Sequence, residues 1–116
     1  MTSLQRVLVV EDEPLIAMML EDFLDVLGKL AVATVDSVAT ALAALDVEQV
    51  DAAILDVHLR GGEKSTAVAE ALAARNIPFV FASGGNGDGI DDRFHDRPRL
   101  QKPFTMDGVE KALAEL

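Results

Sequence analysis

The stretch Asp51-Ala52-Ala53-Ile54-Leu55-Asp56 decides the fold of this chain, and Val57-His58-Leu59-Arg60-Gly61-Gly62 follows it at once. A short apolar run between two acids, with a glycine pair soon after, is typical of a strand that is buried on both faces and ends in a loop. Asp56 stands at the carboxyl end of this strand, where open parallel sheets bind their ligands. Because Asp is common wherever strands end, Asp56 by itself is more typical of a simple turn residue than of a functional one.

Length and composition limit the classes of protein to which the chain can belong. It has 116 residues, no cysteine and a formal net charge of −10, which predicts one domain over residues 1–116 without disulfides or thiolate metal sites. No apolar run approaches the roughly 20 residues of a membrane-spanning helix, and the N-terminus lacks a secretory layout. We therefore expect a cytoplasmic protein that does not contact a membrane.

The basic residues do not form a concentrated patch. Three arginines lie close together within 93–99, but Asp96 lies between them and Asp91 and Asp92 directly precede them. Nucleic-acid binders need a concentrated positive footprint to displace counterions, so we expect no nucleic-acid partner. The acidic balance suits solubility or a partner with a basic surface.

Strand and helix patterns alternate five times along the chain. The predicted strands are 6–10, 30–35, 51–56, 77–82 and 99–101, and the predicted helices are 14–27, 38–45, 64–75, 90–95 and 106–116. This alternation predicts an α/β fold of the flavodoxin-like (βα)5 type, a doubly wound parallel five-stranded sheet with strand order 2-1-3-4-5. The helix at 90–95 is short, polar and close to several glycines, so we expect the segment 84–98 to be mobile or partly unwound.

In such a sheet, the residues that follow the strands meet at one edge. They are three acids after the first strand, an acid after the third, a hydroxyl after the fourth and an ammonium after the fifth: Glu11, Asp12, Glu13, Asp56, Ser83 and Lys102. Acids packed this closely raise one another's pKa unless a cation joins them, and oxygen ligands with room for water suit Mg²⁺. Such a site suits phosphoryl transfer, with Asp56 as the nucleophile. In this interpretation Glu11 and Asp12 hold the metal, while Ser83 and Lys102 bind phosphoryl oxygens.

Each of these residues also has a purely structural interpretation. The acids after the first strand could stabilise the N-terminus of the next helix, Ser83 could be a turn residue, and Lys102 could be a solvated strand end. We expect the His58 side chain to lie in a loop at the mouth of the site rather than to act as a ligand. We expect His95 to be an exposed residue. The combination of the four residue types at four strand ends favours the functional interpretation.

Over essentially its whole length, the chain resembles the receiver domain of two-component response regulators. The matching motifs are Val9-Val10-Glu11-Asp12-Glu13-Pro14, Ile54-Leu55-Asp56-Val57, Ala82-Ser83-Gly84 and Lys102-Pro103-Phe104. The resemblance implies that Asp56 accepts a phosphoryl group from a histidine kinase or a phosphotransfer protein, and that Ser83 and Lys102 hold that group. It also implies a magnesium ion bound by Asp12, Asp56 and the His58 main-chain carbonyl, with Glu11 acting mostly through water. The peptide bond before Pro103 is expected to be cis.

Three features distinguish the chain from the usual receiver pattern. Arg60 occupies a position that usually carries a proline, and Arg99 one that usually carries an aromatic residue. The strand end Phe79-Val80-Phe81-Ala82-Ser83-Gly84-Gly85 resembles a subgroup of single-domain receivers with a Phe-Ala-Thr-Gly strand end. The residues expected to switch on phosphorylation are Ser83, Gly84, Gly85 and Arg99.

We therefore predict a stand-alone phosphoacceptor receiver that is not an enzyme and has no output domain. It would switch protein–protein interactions or shuttle phosphate as a monomer or weak dimer, with a downstream protein target. Two alternatives remain, a degenerate receiver that binds partners without phosphorylation and a phosphatase-type enzyme that forms an aspartyl phosphate. Such phosphatases place a second acid two residues after the nucleophile, where this chain has His58. Nucleotide binding is disfavoured because the glycines at 84–89 lack the phosphate-loop lysine and the dinucleotide spacing.

Overall fold

The computed structural model describes residues 5–83, 90–102 and 104–116. Five parallel strands form one sheet in the order β2-β1-β3-β4-β5, which confirms the predicted fold. The strands are β1 (Arg6–Val10), β2 (Leu30–Val35), β3 (Ala52–Asp56), β4 (Phe79–Ser83) and β5 (Arg99–Gln101). The helices are α1 (Pro14–Val26), α2 (Val38–Val47), α3 (Thr66–Ala74) and α4 (Met106–Ala114).

The three central strands β1, β3 and β4 are buried on both faces, as their apolar runs predict, whereas the edge strands β2 and β5 are only partly buried. All five residues of β3 are buried, because successive side chains point to opposite faces and helices cover each face. Leu20 and Leu24 of α1 share one apolar cluster with Val109 of α4, while α2 and α3 pack on the other face. Each large apolar side chain buried in this way stabilises the fold by about 1.5–3 kcal/mol.

Local signals fix three helix ends where the sequence places them. Pro14 begins α1, and the Ser37 hydroxyl accepts a hydrogen bond from the Thr40 amide at 3.1 Å to cap α2. The Thr105 hydroxyl caps α4 by accepting from the Gly108 amide at 3.0 Å. These side chains satisfy amide groups that have no partner within a helix.

Several predicted bounds are wrong by one or two residues: α1 ends at Val26 rather than at 27, α2 at Val47 rather than at 45 and α3 at Ala74 rather than at 75, while β3 begins at Ala52 rather than at 51 and β4 spans Phe79–Ser83 rather than 77–82. Two other helix bounds are wrong for reasons that the structure shows. The third helix begins at Thr66 rather than Lys64, because Lys64 pairs with His58 across a small antiparallel bridge and residues before Thr66 remain in the loop. The last helix ends at Ala114, so Leu116 lies beyond it and is 37% exposed instead of facing the core.

The predicted helix at 90–95 is a single 3₁₀ turn, Asp92–Phe94. Only Ile90 and Phe94 are buried in this part of the chain, which is too little apolar surface to fix a longer helix. The Phe94 ring packs edge-on against Phe79, with 5.6 Å between the ring centroids. His95 is exposed and a ring nitrogen lies 3.0 Å from the Ile90 carbonyl oxygen. Residues 84–89 lie outside the described ranges, so the predicted mobility of the segment 84–98 stays a prediction.

Candidate functional site

The strand register brings the ends of β1, β3, β4 and β5 to one rim of the sheet. Val10 pairs with Leu55, which sets Glu11 beside Asp56, the last residue of β3. Asp56 pairs with Ala82 of β4, so Ser83 is the next residue along that strand. The Lys102 amide donates to the Ser83 carbonyl at 3.0 Å, which extends the pairing to the end of β5.

Three carboxylates come close together at this rim. Glu11, Asp12 and Asp56 each offer an oxygen that lies within 4.8 Å of the other two. Glu11 and Asp56 are buried, and Asp12 is half-buried. Carboxylate oxygens at this spacing are the ligand type that a hard divalent cation prefers.

One ammonium group lies against this acidic cluster. The Lys102 Nζ is 3.3 Å from Asp56 Oδ2 and 3.6 Å from Glu11 Oε2. The same Nζ lies 5.8 Å from the centre of the Phe104 ring. A further cation at the rim would offset the mutual repulsion of these carboxylates.

The surroundings of Glu11 shift the pKa of its carboxyl group. Its side chain is only 1% exposed, and neither of its carboxylate oxygens has a hydrogen-bond partner of good geometry in the described part of the chain. Burial first, and then the neighbouring Asp56, raise the pKa of Glu11 from 4.5 to about 8, while Lys102 acts in the opposite direction. A buried carboxylate whose oxygens lack hydrogen bonds of good geometry is costly, so the site favours an additional cation or a retained proton.

The other candidate residues differ in where the fold places them. Ser83 is half-buried at the end of β4, whereas the His58 side chain, in the loop after β3, is exposed. Glu13 is exposed and its carbonyl accepts from the Ala17 amide at 2.9 Å, so it belongs to the start of α1. Arg99 is exposed, and its guanidinium donates to the His95 carbonyl at 3.4 Å. Gly84, Gly85 and Pro103 lie outside the described residues, so neither the switch at the glycines nor the cis bond is tested.

A cleft of about 420 Å³ adjoins the rim and includes residues that the sequence analysis missed. Glu11 and Asp12 form one side of it, and Thr34 and Asp36 form the other. Asp36 follows directly after β2. The strand-end argument could therefore have found it, had that argument also been applied to the second strand.

Comparison with known families identifies the class of this chain. The family model of the response regulator receiver domain matches residues 7–114. The chain belongs to this family. Receiver domains are signalling proteins for which phosphorylation and Mg²⁺ binding at an acidic pocket are typical, and they interact with kinases or phosphotransfer proteins.

Solved structures of other receivers superpose closely on this chain. The solution structure of SdrG from Sphingomonas melonis Fr1 is 72% identical, with a TM-score of 0.88 over 98% of this chain and 97% of that one. The BeF₃-activated conformation of SdrG, from Pseudomonas melonis Fr1, has the same identity and coverage and a TM-score of 0.82. PhyR from Brucella abortus is 29% identical, with a TM-score of 0.81 over 97% of this chain and 47% of PhyR.

A comparison with curated proteins found no match. None of the helices in the described ranges is both long and apolar enough to span a membrane.

Proposed function

We propose that this receiver accepts a phosphoryl group on Asp56 from a histidine kinase or a phosphotransfer protein, with Mg²⁺ bound at the acidic rim. The observation that carries the proposal is the shared position of three carboxylates and one ammonium group. Carboxylate oxygens of Glu11, Asp12 and Asp56 lie within 4.8 Å of one another, and Lys102 Nζ lies 3.3 Å from Asp56.

The residues at the rim fit a magnesium ion. The donor set consists of hard oxygens, and the buried oxygens of Glu11 lack a hydrogen-bond partner of good geometry among the described residues. Asp12 and Asp56 would bind the ion directly with the His58 main-chain carbonyl, and Glu11 would act mostly through water. When bound, the ion neutralises charge on the oxygens of the transferred group.

In the transfer, an Asp56 carboxylate oxygen attacks phosphorus in line with the bond to the donor histidine. The new P–O bond forms as the P–N bond breaks, and the electron pair of that bond returns to the imidazole nitrogen. Lys102 moves its ion pair from the free carboxylate to a phosphoryl oxygen, while the Ser83 hydroxyl donates to another. Because Asp56 is only 8% exposed, these interactions act in a medium that screens charge less than water does.

The donor protein has to cover the rim, and α1 offers apolar surface beside it. Leu15 and Met18 are 79% and 55% exposed, one turn apart and next to the loop that carries Glu11 and Asp12. Large exposed apolar side chains next to a reactive group suit a protein partner. The receiver is proposed to shuttle phosphate or to switch between protein partners once Asp56 is phosphorylated.

The switch that accompanies phosphorylation is proposed to start at Ser83. Movement of its hydroxyl toward the phosphoryl group would reorganise the segment 84–95. In receivers with an aromatic residue at the position of Arg99, that ring follows the hydroxyl, and this chain has no such ring. Amide exchange with and without beryllofluoride tests this step. Unchanged protection across the segment would contradict it.

Acetyl phosphate and Mg²⁺ provide the test of the phosphoacceptor proposal. We expect intact-mass spectrometry to show a gain of one phosphoryl group that requires Mg²⁺ and is lost in Asp56→Asn. Asp92→Asn is the matched control, because its carboxylate is 99% exposed and does not belong to the group of Glu11, Asp12 and Asp56. An unmodified wild-type protein would favour the degenerate receiver, and repeated turnover of a phosphoester would favour the phosphatase.

A further inference from the structure

The loop between β3 and α3, residues 57–65, forms a small closed turn directly after Asp56. The Leu59 amide donates to the Glu63 carbonyl at 2.7 Å, and the Ser65 amide donates to the Val57 carbonyl at 3.1 Å. Between these bonds, His58 pairs with Lys64 in an antiparallel bridge. The main-chain position of His58 therefore depends on the segment Glu63 to Ser65 across the turn.

The residues at the tip of this loop restrict its backbone conformation only weakly. Gly61 and Gly62 both have φ of +78°, and a Cβ at either position would meet no atom within 4 Å. The glycines are thus required by backbone conformation rather than by space, and they add conformational freedom that must be lost on ordering. Arg60 stands where receivers usually have proline, so a ring that would restrict the backbone is missing as well.

Glu63 supplies a contact that fixes the loop from outside. Its Oε1 accepts a hydrogen bond from the Val38 amide, the first residue of α2, at 2.9 Å. The Ser37 hydroxyl already serves the Thr40 amide, so Glu63 caps a different amide that has no partner within the helix. A carboxylate is also favoured at a helix N-terminus by the helix dipole. The connection joins residues 25 positions apart in the chain.

We propose that Glu63 is a positioning residue of the phosphoacceptor site, which fixes the loop 57–65 to α2 and thereby holds the His58 main-chain carbonyl at the rim. The proposal rests on the proposed function, because only a metal at the rim gives the His58 carbonyl a ligand role. Glu63 is linked to His58 in two ways. The Glu63 carbonyl accepts a hydrogen bond from the amide of Leu59, which follows His58, and Lys64, which follows Glu63, pairs with His58. Without this contact, the two glycines leave the loop free to move as a unit.

A purely structural role for Glu63, as a cap that only stabilises α2, makes different predictions. Ser37→Ala removes the other cap of the same helix terminus without touching the loop, so it is the matched control. Glu63→Ala removes the contact, and Glu63→Gln keeps an acceptor oxygen at the same place. The Glu63 side chain is exposed, so neither substitution opens a buried cavity.

The test combines thermal unfolding, Mg²⁺ titration followed by NMR, and amide exchange of the metal-free proteins. We expect Glu63→Ala to weaken Mg²⁺ binding about five-fold, the loss of one ordinary hydrogen bond, and to speed exchange at the Leu59 and Ser65 amides by a similar factor. Glu63→Gln should restore most of both. Ser37→Ala should lower the melting temperature yet leave the Mg²⁺ affinity and these two amides unchanged.

Two results would overturn the positioning role. One is unchanged Mg²⁺ affinity in Glu63→Ala, and the other is an equal loss of affinity in Ser37→Ala, which would show that the stability of α2 alone is responsible. If the wild type binds no Mg²⁺, the proposed function fails instead. Amide exchange alone then decides whether Glu63 fixes the loop. Faster exchange at the Leu59 and Ser65 amides in Glu63→Ala would support this role, and unchanged exchange would overturn it.

Discussion

Replacing Glu11 by glutamine removes a charge from a position that the fold buries almost completely. The side chain is 1% exposed, and the pKa of Glu11 is raised from 4.5 to about 8. Between these two pH values the folded protein keeps a proton that the unfolded chain has released. The folded state then binds more protons than the unfolded state, so its stability falls as the pH rises from 4.5 to about 8 and levels off above that.

The size of this effect follows from the pKa change. At about 1.4 kcal/mol per pKa unit, the rise from 4.5 to about 8 corresponds to at most about 5 kcal/mol of lost stability at high pH. Glutamine has the shape and hydrogen-bonding groups of the protonated acid without the ability to ionise. We therefore expect Glu11→Gln to match the wild type at acidic pH and to be about 2–5 kcal/mol more stable above the pKa, where its advantage is largest.

Urea unfolding in EDTA, repeated from about pH 5 to about pH 9, measures this difference. Glu13→Gln is the matched control, since Glu13 lies in the same loop but is exposed, and it should follow the wild-type curve. Addition of Mg²⁺ should then stabilise the wild type more than Glu11→Gln, because the metal neutralises a carboxylate that the variant lacks. If the free energies of unfolding of the wild type and Glu11→Gln changed with pH in the same way, the reasoning would be refuted.

Three further substitutions test separate parts of the structure. Gly61→Ala places a Cβ on a residue with φ of +78° and should cost about 1–2 kcal/mol in urea unfolding; no loss would show that the loop relaxes to negative φ. Phe94→Ala removes a ring that is 5% exposed and packed on Phe79, and it should lower the free energy of unfolding by about 3–5 kcal/mol. A loss below about 1 kcal/mol would place this ring outside the core. Leu15→Asp should slow phosphorylation by a protein donor and leave the acetyl phosphate reaction unchanged, and equal effects on both reactions would exclude Leu15 from the docking surface.

Much of the fold follows from local sequence signals. The apolar run Ala52–Leu55 is long enough to be buried on both faces of a sheet, and Ser37 and Thr105 carry side chains that cap helices. Such signals act within a few residues, so they can be recognised without knowledge of the tertiary structure. The grouping of Glu11, Asp56 and Lys102 could also be predicted, because parallel strands bring their carboxyl ends to one edge.

Features that depend on contacts between distant segments could not be predicted in this way. The start of α3 at Thr66 results from the pairing of His58 with Lys64, which competes with an otherwise helical pattern from residue 64. The contact of Glu63 with the first turn of α2 joins two loops and leaves no trace in local periodicity. The short turn at Asp92–Phe94 likewise reflects how little of that segment reaches the core.

The central claim is that one particular carboxylate at the rim forms the acyl phosphate. Borohydride reduces an aspartyl phosphate to homoserine, so the protein would be treated with acetyl phosphate and Mg²⁺, reduced, digested and mapped by mass spectrometry. The account predicts homoserine at position 56 and at no other acid, and its disappearance when EDTA replaces Mg²⁺. Homoserine at Asp12, or an unreduced Asp56 in a protein that has bound Mg²⁺, would contradict the assignment.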